Sequence, residues 1–287
     1  MPESLFYTNF ATKFAAMLKY ICFGSGSSGN CYYLFTEQTG IIIDAGISAR
    51  ALKKYFRDRN LSMNNIKCIF VTHDHADHVK SVGMLSEDLK IPVYTTAKVH
   101  EGIKNNYIVR TKIPEEHIHY LNKNETYSFG EFSILPFGVP HDSLDNIGFR
   151  IEYNGMVFSL MTDVGHVTDE MKKYITESDY IVLEANHDRE MLLNGRYPKF
   201  LQERILSPTG HLSNKECGET IAENASERLK HLWLCHLSED NNHPELARKT
   251  VVSILASYGI IADKDFRVEV LKRKTPSQIY DLRTELY

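Results

Sequence analysis

The segment VTHDHADHV, residues 71–79, decides how the rest of the chain is interpreted. Five of the six residues from His73 to His78 are ionisable, and they directly follow IKCIFVT, a run typical of a buried strand. Because a single residue separates His73 from His75, both imidazoles can point the same way, and Asp77 and His78 can then serve a second ion. A solvated turn does not account for this density of imidazoles and carboxylates. The segment therefore predicts a metal site at a strand end.

The cysteines of the chain do not form a metal-binding motif of their own. The five cysteines are odd in number, form no CxxC pair and stand at Cys22, Cys31, Cys68, Cys217 and Cys235. We interpret them as reduced interior residues, which predicts a reducing, cytoplasmic location. The metal ligands are then imidazoles and carboxylates, a set that suits zinc, manganese or iron without choosing among them.

Composition places the chain among globular proteins. Of its 287 residues, 43% are hydrophobic and 24% are charged, so the chain can bury a sizeable core. The formal net charge of -4 gives no reason by itself to expect nucleic acid. No segment has the length and apolar character of a membrane span or export signal, so we expect no membrane association. We expect a single domain over residues 17–287, preceded by an extension, residues 1–16, of unknown role.

The order of predicted elements favours a particular class of α/β fold. Segments such as LKYICF, CYYLFT and IPVYTT predict strands, whereas ISARALKKYFRDRN and HPELARKTVVSILASYGI predict helices. Runs of strands are broken by helices, without the strict alternation of a doubly wound sheet. This order favours two mixed sheets faced by helices.

THDHADH resembles the THxHxDH signature of the metallo-β-lactamase fold superfamily. The resemblance implies a four-layer αββα sandwich, in which two mixed β-sheets are flanked by helices and metals lie at the edge that the sheets share. The ligands that it implies are His73, His75 and His141 for one ion, Asp77, His78 and His236 for the other, and Asp163 shared by both. Asp74 stands at the variable position of the signature, and we predict that it can be replaced at little cost to metal binding.

Each later ligand lies at the end of a predicted strand, but alternatives exist. His166, His187 and His243 stand near the implied positions. Asp163 occupies a place where true β-lactamases often carry cysteine, which argues against antibiotic hydrolysis. Paired hard ligands favour the hydrolysis of a phosphoester instead.

A phosphodiesterase needs a proton donor in addition to metals. Two divalent ions lower the pKa of a shared water, and Asp77 is expected to be catalytic as well as a ligand, but the ions cannot protonate the leaving alkoxide. The segment GHLSN resembles the stretch in which tRNase Z and related enzymes place that donor, which implies this role or phosphate binding for His211. Glu184, in YIVLEAN, would orient the imidazole of His211. The alternatives are an ordinary loop histidine and a solvated strand exit.

Two further segments are candidates for substrate binding. GSGSSGN, residues 24–30, could be a flexible linker, but its place between two predicted strands favours a tight turn. Ser27, Ser28 and Asn30 would then offer donors to an anionic group. His187, close to Glu184, is a fourth candidate.

The pattern from FGSGSSGNCYYL through LCHLSEDNNHPELA is similar to the YycJ/WalJ-like branch of the superfamily. That similarity implies a 5′ to 3′ exonuclease that uses two divalent metal ions on double-stranded DNA. Several basic residues are compatible with binding to the DNA backbone. They are Lys199, Arg204, Arg228, Lys230 and the start of the segment 271–283. Two other functions stay open, a phosphodiesterase for small molecules or cyclic nucleotides and a metal-binding regulatory protein without turnover. The sequence predicts no oligomeric state.

Overall fold

The structure is a computed structural model that describes residues 17–283. The extension set apart by the sequence, residues 1–16, lies outside the described residues. The strands are β1 (Leu18–Gly24), β2 (Cys31–Phe35), β3 (Gly40–Ile43), β4 (Ile66–Phe70), β5 (Val93–Thr95), β6 (Ile118–Tyr120), β7 (Tyr127–Phe129), β8 (Phe132–Gly138), β9 (Ile147–Tyr153), β10 (Met156–Met161), β11 (Tyr180–Glu184), β12 (His231–Cys235), β13 (Arg267–Val270) and β14 (Tyr280–Leu282).

The α-helices are α1 (Ala49–Asp58), α2 (Ala76–Val79), α3 (Val82–Leu89), α4 (Ala97–Asn105), α5 (Asp169–Glu177), α6 (Arg189–Asn194), α7 (Lys199–Ile205), α8 (Asn214–Asn224) and α9 (Pro244–Ser257). Two short 3-10 helices cover Met63–Asn65 and Glu115–His117. Within residues 17–283, no helix has both the length and the apolar character needed to cross a bilayer.

The described strands form two mixed sheets of seven strands each. Their orders are β14-β1-β2-β3-β4-β5-β6 and β13-β12-β11-β10-β9-β8-β7. In the first sheet, pairing is antiparallel from β14 to β3 and parallel from β3 to β6. In the second sheet, pairing is antiparallel from β7 to β10 and parallel from β10 to β13. The predicted pair of mixed sheets is therefore confirmed.

Three clusters of buried side chains separate four layers. The central cluster joins the two sheets and includes Tyr20 of β1, Phe149 of β9 and Trp233 of β12. On the outer faces, Phe56 of α1 packs on the first sheet and Leu255 of α9 on the second. Full burial of one large apolar side chain stabilises the folded state by about 1.5–3 kcal/mol. The αββα sandwich implied by the sequence is confirmed.

Strand direction determines where polar side chains gather. Strands β3 and β4 run parallel, as do β10, β11 and β12, so each set brings its carboxyl ends to one edge of its sheet. The residues that follow these strands include Asp44, Asp163 and His236. Contacts between the two edges, described below, show that they face a common site.

Helix ends follow the local sequence. A capping box begins α8, because Ser213 Oγ accepts from the backbone of Glu216 at 3.2 Å and Glu216 accepts from the backbone of Ser213 at 2.9 Å. Three helices, α6, α7 and α8, lie between β11 and β12. Gly195 ends α6 and Pro198 precedes α7, so neither residue continues a helix.

Candidate metal centre

Strained backbone marks the ends of three strands at the shared edge. Asp44, Asp163 and His236 follow β3, β10 and β12, and they have φ angles of 59°, 56° and 53°. Residues other than glycine seldom adopt this left-handed conformation, which costs of order 1 kcal/mol. All three residues are buried. Strain concentrated in this way is typical of a functional site.

Three imidazoles form the first cluster, here named the imidazole group: His73, His75 and His141. Their ligand atoms lie within 4.8 Å of one another. The Nε2 atoms of His73 and His141 are buried and make no hydrogen bond to any described residue. An unsatisfied buried polar atom costs about 1–3 kcal/mol. These unpaired nitrogens fit a cation, because a neutral imidazole offers a lone pair that such an ion accepts.

A second cluster, here named the acidic group, consists of Asp77, His78 and His236, whose ligand atoms also lie within 4.8 Å of one another. Asp77 Oδ2 is 3.4 Å from His236 Nε2 and 3.6 Å from His78 Nε2. His75 stands before the first turn of α2, so the helix turns Asp77 and His78 toward β12. Nitrogen and carboxylate donors of this kind suit zinc, manganese or iron.

Asp163 lies between the two groups. Its Oδ1 is 3.7 Å from His141 Nε2 and 3.5 Å from His236 Nε2, while its Oδ2 is 3.2 Å from His78 Nε2. Burial would raise the pKa of Asp163, but the neighbouring imidazoles, His236 and His78 first, hold it well below its usual range. The carboxylate is therefore ionised and within reach of both groups.

Asp44 supports the acidic group, and the sequence analysis gave it no role. Its Oδ2 lies 2.7 Å from His78 Nδ1, and Thr72 donates to both of its oxygens. Burial alone would lower the pKa of His78, but the carboxylates of Asp163, Asp44 and Asp77 raise it to about 10. The bond at Nδ1 leaves Nε2 to face the other ligands. A lone acid directly after the apolar run GIII was the signal that could have identified it.

Glu184 connects a candidate ligand to the candidate proton donor. Its Oε1 lies 2.8 Å from His211 Nδ1 and 3.0 Å from His236 Nδ1, while its Oε2 accepts from the backbones of Val164 and Leu212 at 2.7 and 3.1 Å. Burial would raise the pKa of Glu184, but His211 and His236 lower it to about 2. This ionised, fully buried carboxylate sets the orientation of both imidazoles.

His211 stands beside both groups at the rim of the site, with 16% of its side chain exposed. Its Nδ1 is 3.8 Å from Asp163 Oδ1 but is engaged by Glu184. Burial works to lower the pKa of His211, but the charge and hydrogen bond of Glu184 raise it above its ordinary value. A partly exposed imidazole that favours its protonated form is suited to donate a proton.

The glycine-rich turn lies against the acidic group. Asn30 is buried, and its Nδ2 atom lies 2.8 Å from His78 Nε2 and 3.2 Å from Asp77 Oδ2. Its backbone donates to the backbone oxygen of Asp77 at 2.7 Å. Ser27 and Ser28 are exposed at the tip of the turn. The structure thus brings Asn30 to the ligand residues and leaves the two serines facing solvent.

Gly46, after β3, allows the chain to pack closely against the acidic group. A Cβ atom on Gly46 would lie 1.5 Å from the backbone oxygen of Asp77. Any larger residue would therefore push the segment after β3 away from the acidic group. Asn186 supports the same group from β11, since its side chain donates to the backbone oxygen of His236 at 2.9 Å.

The other candidate histidines lie elsewhere. His187 is 1% exposed, and it lines a separate cleft together with residues of α8 and α9. His166 is exposed, with its Nδ1 2.7 Å from the backbone oxygen of Pro208, and His243 caps α9. None of the three belongs to a metal-binding group among the described residues. The structure therefore does not bring His187 to the candidate centre.

The basic residues divide between the two ends of the strands. Arg204 lines a cleft beside the candidate centre. Arg228 and Lys230 lie 3.0 and 3.9 Å from Asp179, which precedes β11 at the opposite end. The basic segment begins with Lys272, whose backbone oxygen accepts from Ser25 of the glycine-rich turn at 3.2 Å. Arg204 and Lys272 thus lie close to the candidate centre.

Comparisons with known proteins agree with the architecture. A four-layer sandwich with histidine and aspartate groups at its shared edge defines a protein of the metallo-β-lactamase fold. The family model described as "Beta-lactamase superfamily domain" matches residues 39–236. Zn(2+)-bound PqqB from Methylobacterium extorquens has a similar structure, with a TM-score of 0.68 at 13% identity over 91% of this chain and 99% of that chain.

Two relatives are similar in sequence over nearly their whole length. Exodeoxyribonuclease YycJ of Bacillus anthracis is 34% identical over 262 residues, which are 91% of this chain and 98% of the relative. Exodeoxyribonuclease WalJ of Streptococcus pneumoniae serotype 2 is 36% identical over 251 residues, which are 87% of this chain and 93% of the relative. The chain therefore belongs to the β-lactamase superfamily of hydrolases, in its YycJ/WalJ-like branch.

Proposed function

We propose that this chain is a cytoplasmic, metal-dependent exonuclease that degrades double-stranded DNA from the 5′ end. The observation that carries the proposal is the position of Asp163, within 3.2–3.7 Å of imidazole nitrogens from both groups and next to the His211 and Glu184 pair. The names of the two relatives supply the choice of DNA. Five free, buried cysteines are compatible with a reducing compartment.

The donor set fits two divalent ions, zinc or manganese, with iron as a further possibility. One would be held by the imidazole group and the other by the acidic group, and Asp163 would contact both. When bound, such ions supply Lewis acidity and lower the pKa of water. Asp44 and Glu184 orient His78 and His236 through their Nδ1 atoms, so the Nε2 atoms face Asp163.

His211 completes the chemistry by moving a proton. Cleavage of a phosphodiester leaves an alkoxide that must be protonated, and metal ions do not carry that proton. Glu184 accepts at Nδ1 of His211 and stabilises the doubly protonated ring. The proton at Nε2 is then given to the leaving oxygen. Asp163, close to the same ring, keeps its charge because the surrounding imidazoles stabilise it.

Nucleotide release from a 5′-phosphorylated duplex tests the proposal, with zinc, manganese and magnesium compared. We expect release by the wild type and its loss in Asp77→Ala, with Asp281→Ala, an exposed position on β14, as the matched control. Turnover of bis-p-nitrophenyl phosphate without any DNA degradation would support a small-molecule phosphodiesterase instead. Absence of turnover with every metal and substrate would support a regulatory protein.

The role of His211 has its own test. We expect His211→Ala to lower kcat by about 10²- to 10⁴-fold, the usual range for loss of a general acid, and to retain its metal. Metal content is measured by atomic emission, and His119→Ala, at an exposed position of β6, serves as the control. Loss of one metal ion from His211→Ala would show that His211 is a ligand.

A further inference from the structure

A cleft of about 500 Å³ opens directly beside the candidate centre. His75 of the imidazole group and Asp77 of the acidic group line it. The segment 105–108, which follows α4, and the side chains of Leu144 and Arg204 line it as well. The cleft is therefore an open approach to Asp77 for part of a substrate.

Tyr107 is the most exposed large side chain in the cleft. It is 87% exposed, and Leu144 is 55% exposed. Single exposed apolar residues are ordinary on a protein surface. The position of Tyr107 is unusual because its ring shares one cleft with two candidate metal ligands. An exposed aromatic side chain thus lines the same cleft as His75 and Asp77.

The turn that carries Tyr107 is attached to the metal-binding segment itself. Asn106 donates through its side chain to the backbone oxygen of Asp74 at 2.9 Å, and its side-chain oxygen accepts from Ile108 at 3.0 Å. A Cβ atom on Gly102 would lie 2.3 Å from the carboxylate of Asp74, so α4 packs closely against that segment. These contacts attach the turn that carries Tyr107 to the segment that carries His75 and Asp77.

The charged side chains of the cleft provide little attraction for the phosphates of a nucleic acid. The acids of the cleft are Asp74 and Asp77, and its cation, Arg204, is paired with Asp142 at 2.5 Å. Phosphates alone therefore gain little from these walls. An aromatic ring, in contrast, stacks on the flat face of any nucleobase, whatever its sequence.

We infer that Tyr107 is the platform on which the base of the terminal nucleotide stacks while its phosphodiester lies at the candidate centre. The inference rests on the proposed function and names a residue that positions the substrate. Stacking of one base on an aromatic side chain corresponds to roughly 5- to 150-fold in affinity.

The test compares two 5′-phosphorylated oligonucleotides that differ only in the terminal residue, which carries a base in one and is abasic in the other. With the wild-type enzyme, we expect KM to be roughly 5- to 150-fold higher for the abasic oligonucleotide. In Tyr107→Ala, both oligonucleotides should have the same KM. Tyr107→Phe keeps the ring and should behave as the wild type, as should Tyr258→Ala, an exposed tyrosine that follows α9.

Binding is measured separately with the metal-loaded enzyme and an oligonucleotide whose first linkage is a methylphosphonate, so that no cleavage occurs, with 2-aminopurine as the terminal base. Its fluorescence should fall on binding to the wild type and not on binding to Tyr107→Ala. A preference for the base that persists in Tyr107→Ala would overturn the inference and leave the proposed function intact. Failure of the wild type to release nucleotides from DNA would overturn the proposed function and the inference together.

Discussion

The two candidate metal-binding groups differ in charge although they share Asp163. In the imidazole group, burial lowers the pKa of His73 and His141, so both rings are neutral and offer lone pairs. In the acidic group, carboxylates raise the pKa of His78 to about 10, so a cation there takes the place of a proton. One half of the site is thus prepared by burial and the other by negative charge.

The supporting residues follow the same division. His141 Nδ1 lies 3.0 Å from the backbone oxygen of Gly210 and His73 Nδ1 lies 3.0 Å from the hydroxyl of Thr72, so both Nδ1 atoms have neutral partners. The acidic group rests on two buried carboxylates, Asp44 and Glu184. Loss of a supporting carboxylate should therefore affect one group far more than the other.

Replacement of the shared residue is expected to have the largest effect. Asp163→Ala removes the carboxylate that both groups contact, so it should lower metal occupancy in both. Catalytic efficiency should fall by more than about 100-fold, the upper end of what a supporting residue costs. Metal content and nucleotide release are measured together, and an unfolding curve checks the fold. Full metal occupancy in this variant would exclude a shared ligand.

Replacement of Asp44 should separate the two groups. In Asp44→Asn the amide no longer offers His78 Nδ1 a charged acceptor, so the affinity of the acidic group for metal should fall by about 10- to 100-fold. The imidazole group should keep its ion. Titration with zinc, followed by calorimetry, would resolve two affinities, and Asp281→Asn is the control. Equal weakening of both sites would contradict the division between the groups.

The smallest effect is expected at Asp74, inside the metal-binding segment. Its carboxylate accepts from the backbone of Leu144 at 3.4 Å, a long hydrogen bond, and it belongs to no candidate metal-binding group among the described residues. Asp74→Ala should therefore keep wild-type metal content and lower the free energy of unfolding by about 0.5–1.5 kcal/mol. Denaturant unfolding with metal analysis measures both, and loss of an ion would show that Asp74 takes part in metal binding.

Much of the fold could be predicted because long periodic segments specify their own secondary structure. Helices α1 and α9 and strand β4 are of this kind. The short edge strands β6 and β14 were not expected. Each has three residues and little hydrophobic pattern, and β14 forms because it pairs with β1 across most of the chain length. Such pairing depends on tertiary structure and leaves no local signal.

In the candidate site, the metal ligands were easier to predict from the sequence than the residues that support them. The seven proposed ligands stand at strand ends that the sequence order already indicated, and the structure brings them together. Asp44 was missed because one buried acid after an apolar strand has no spacing pattern. His187 comes shortly after β11, the strand that ends at Glu184. It nevertheless lines a separate cleft, together with residues of α8 and α9.

The sequence by itself determined the class of chemistry, because three imidazoles and two carboxylates directly after a buried strand have few uses other than metal binding. It also determined the two-sheet architecture, since strand and helix patterns are local. Only the tertiary structure decided which carboxylates support which ligand, and that Asn106 connects Tyr107 to Asp74. These contacts join residues that lie 32 to 52 positions apart in the chain, so they exist only once the strands of each sheet have paired.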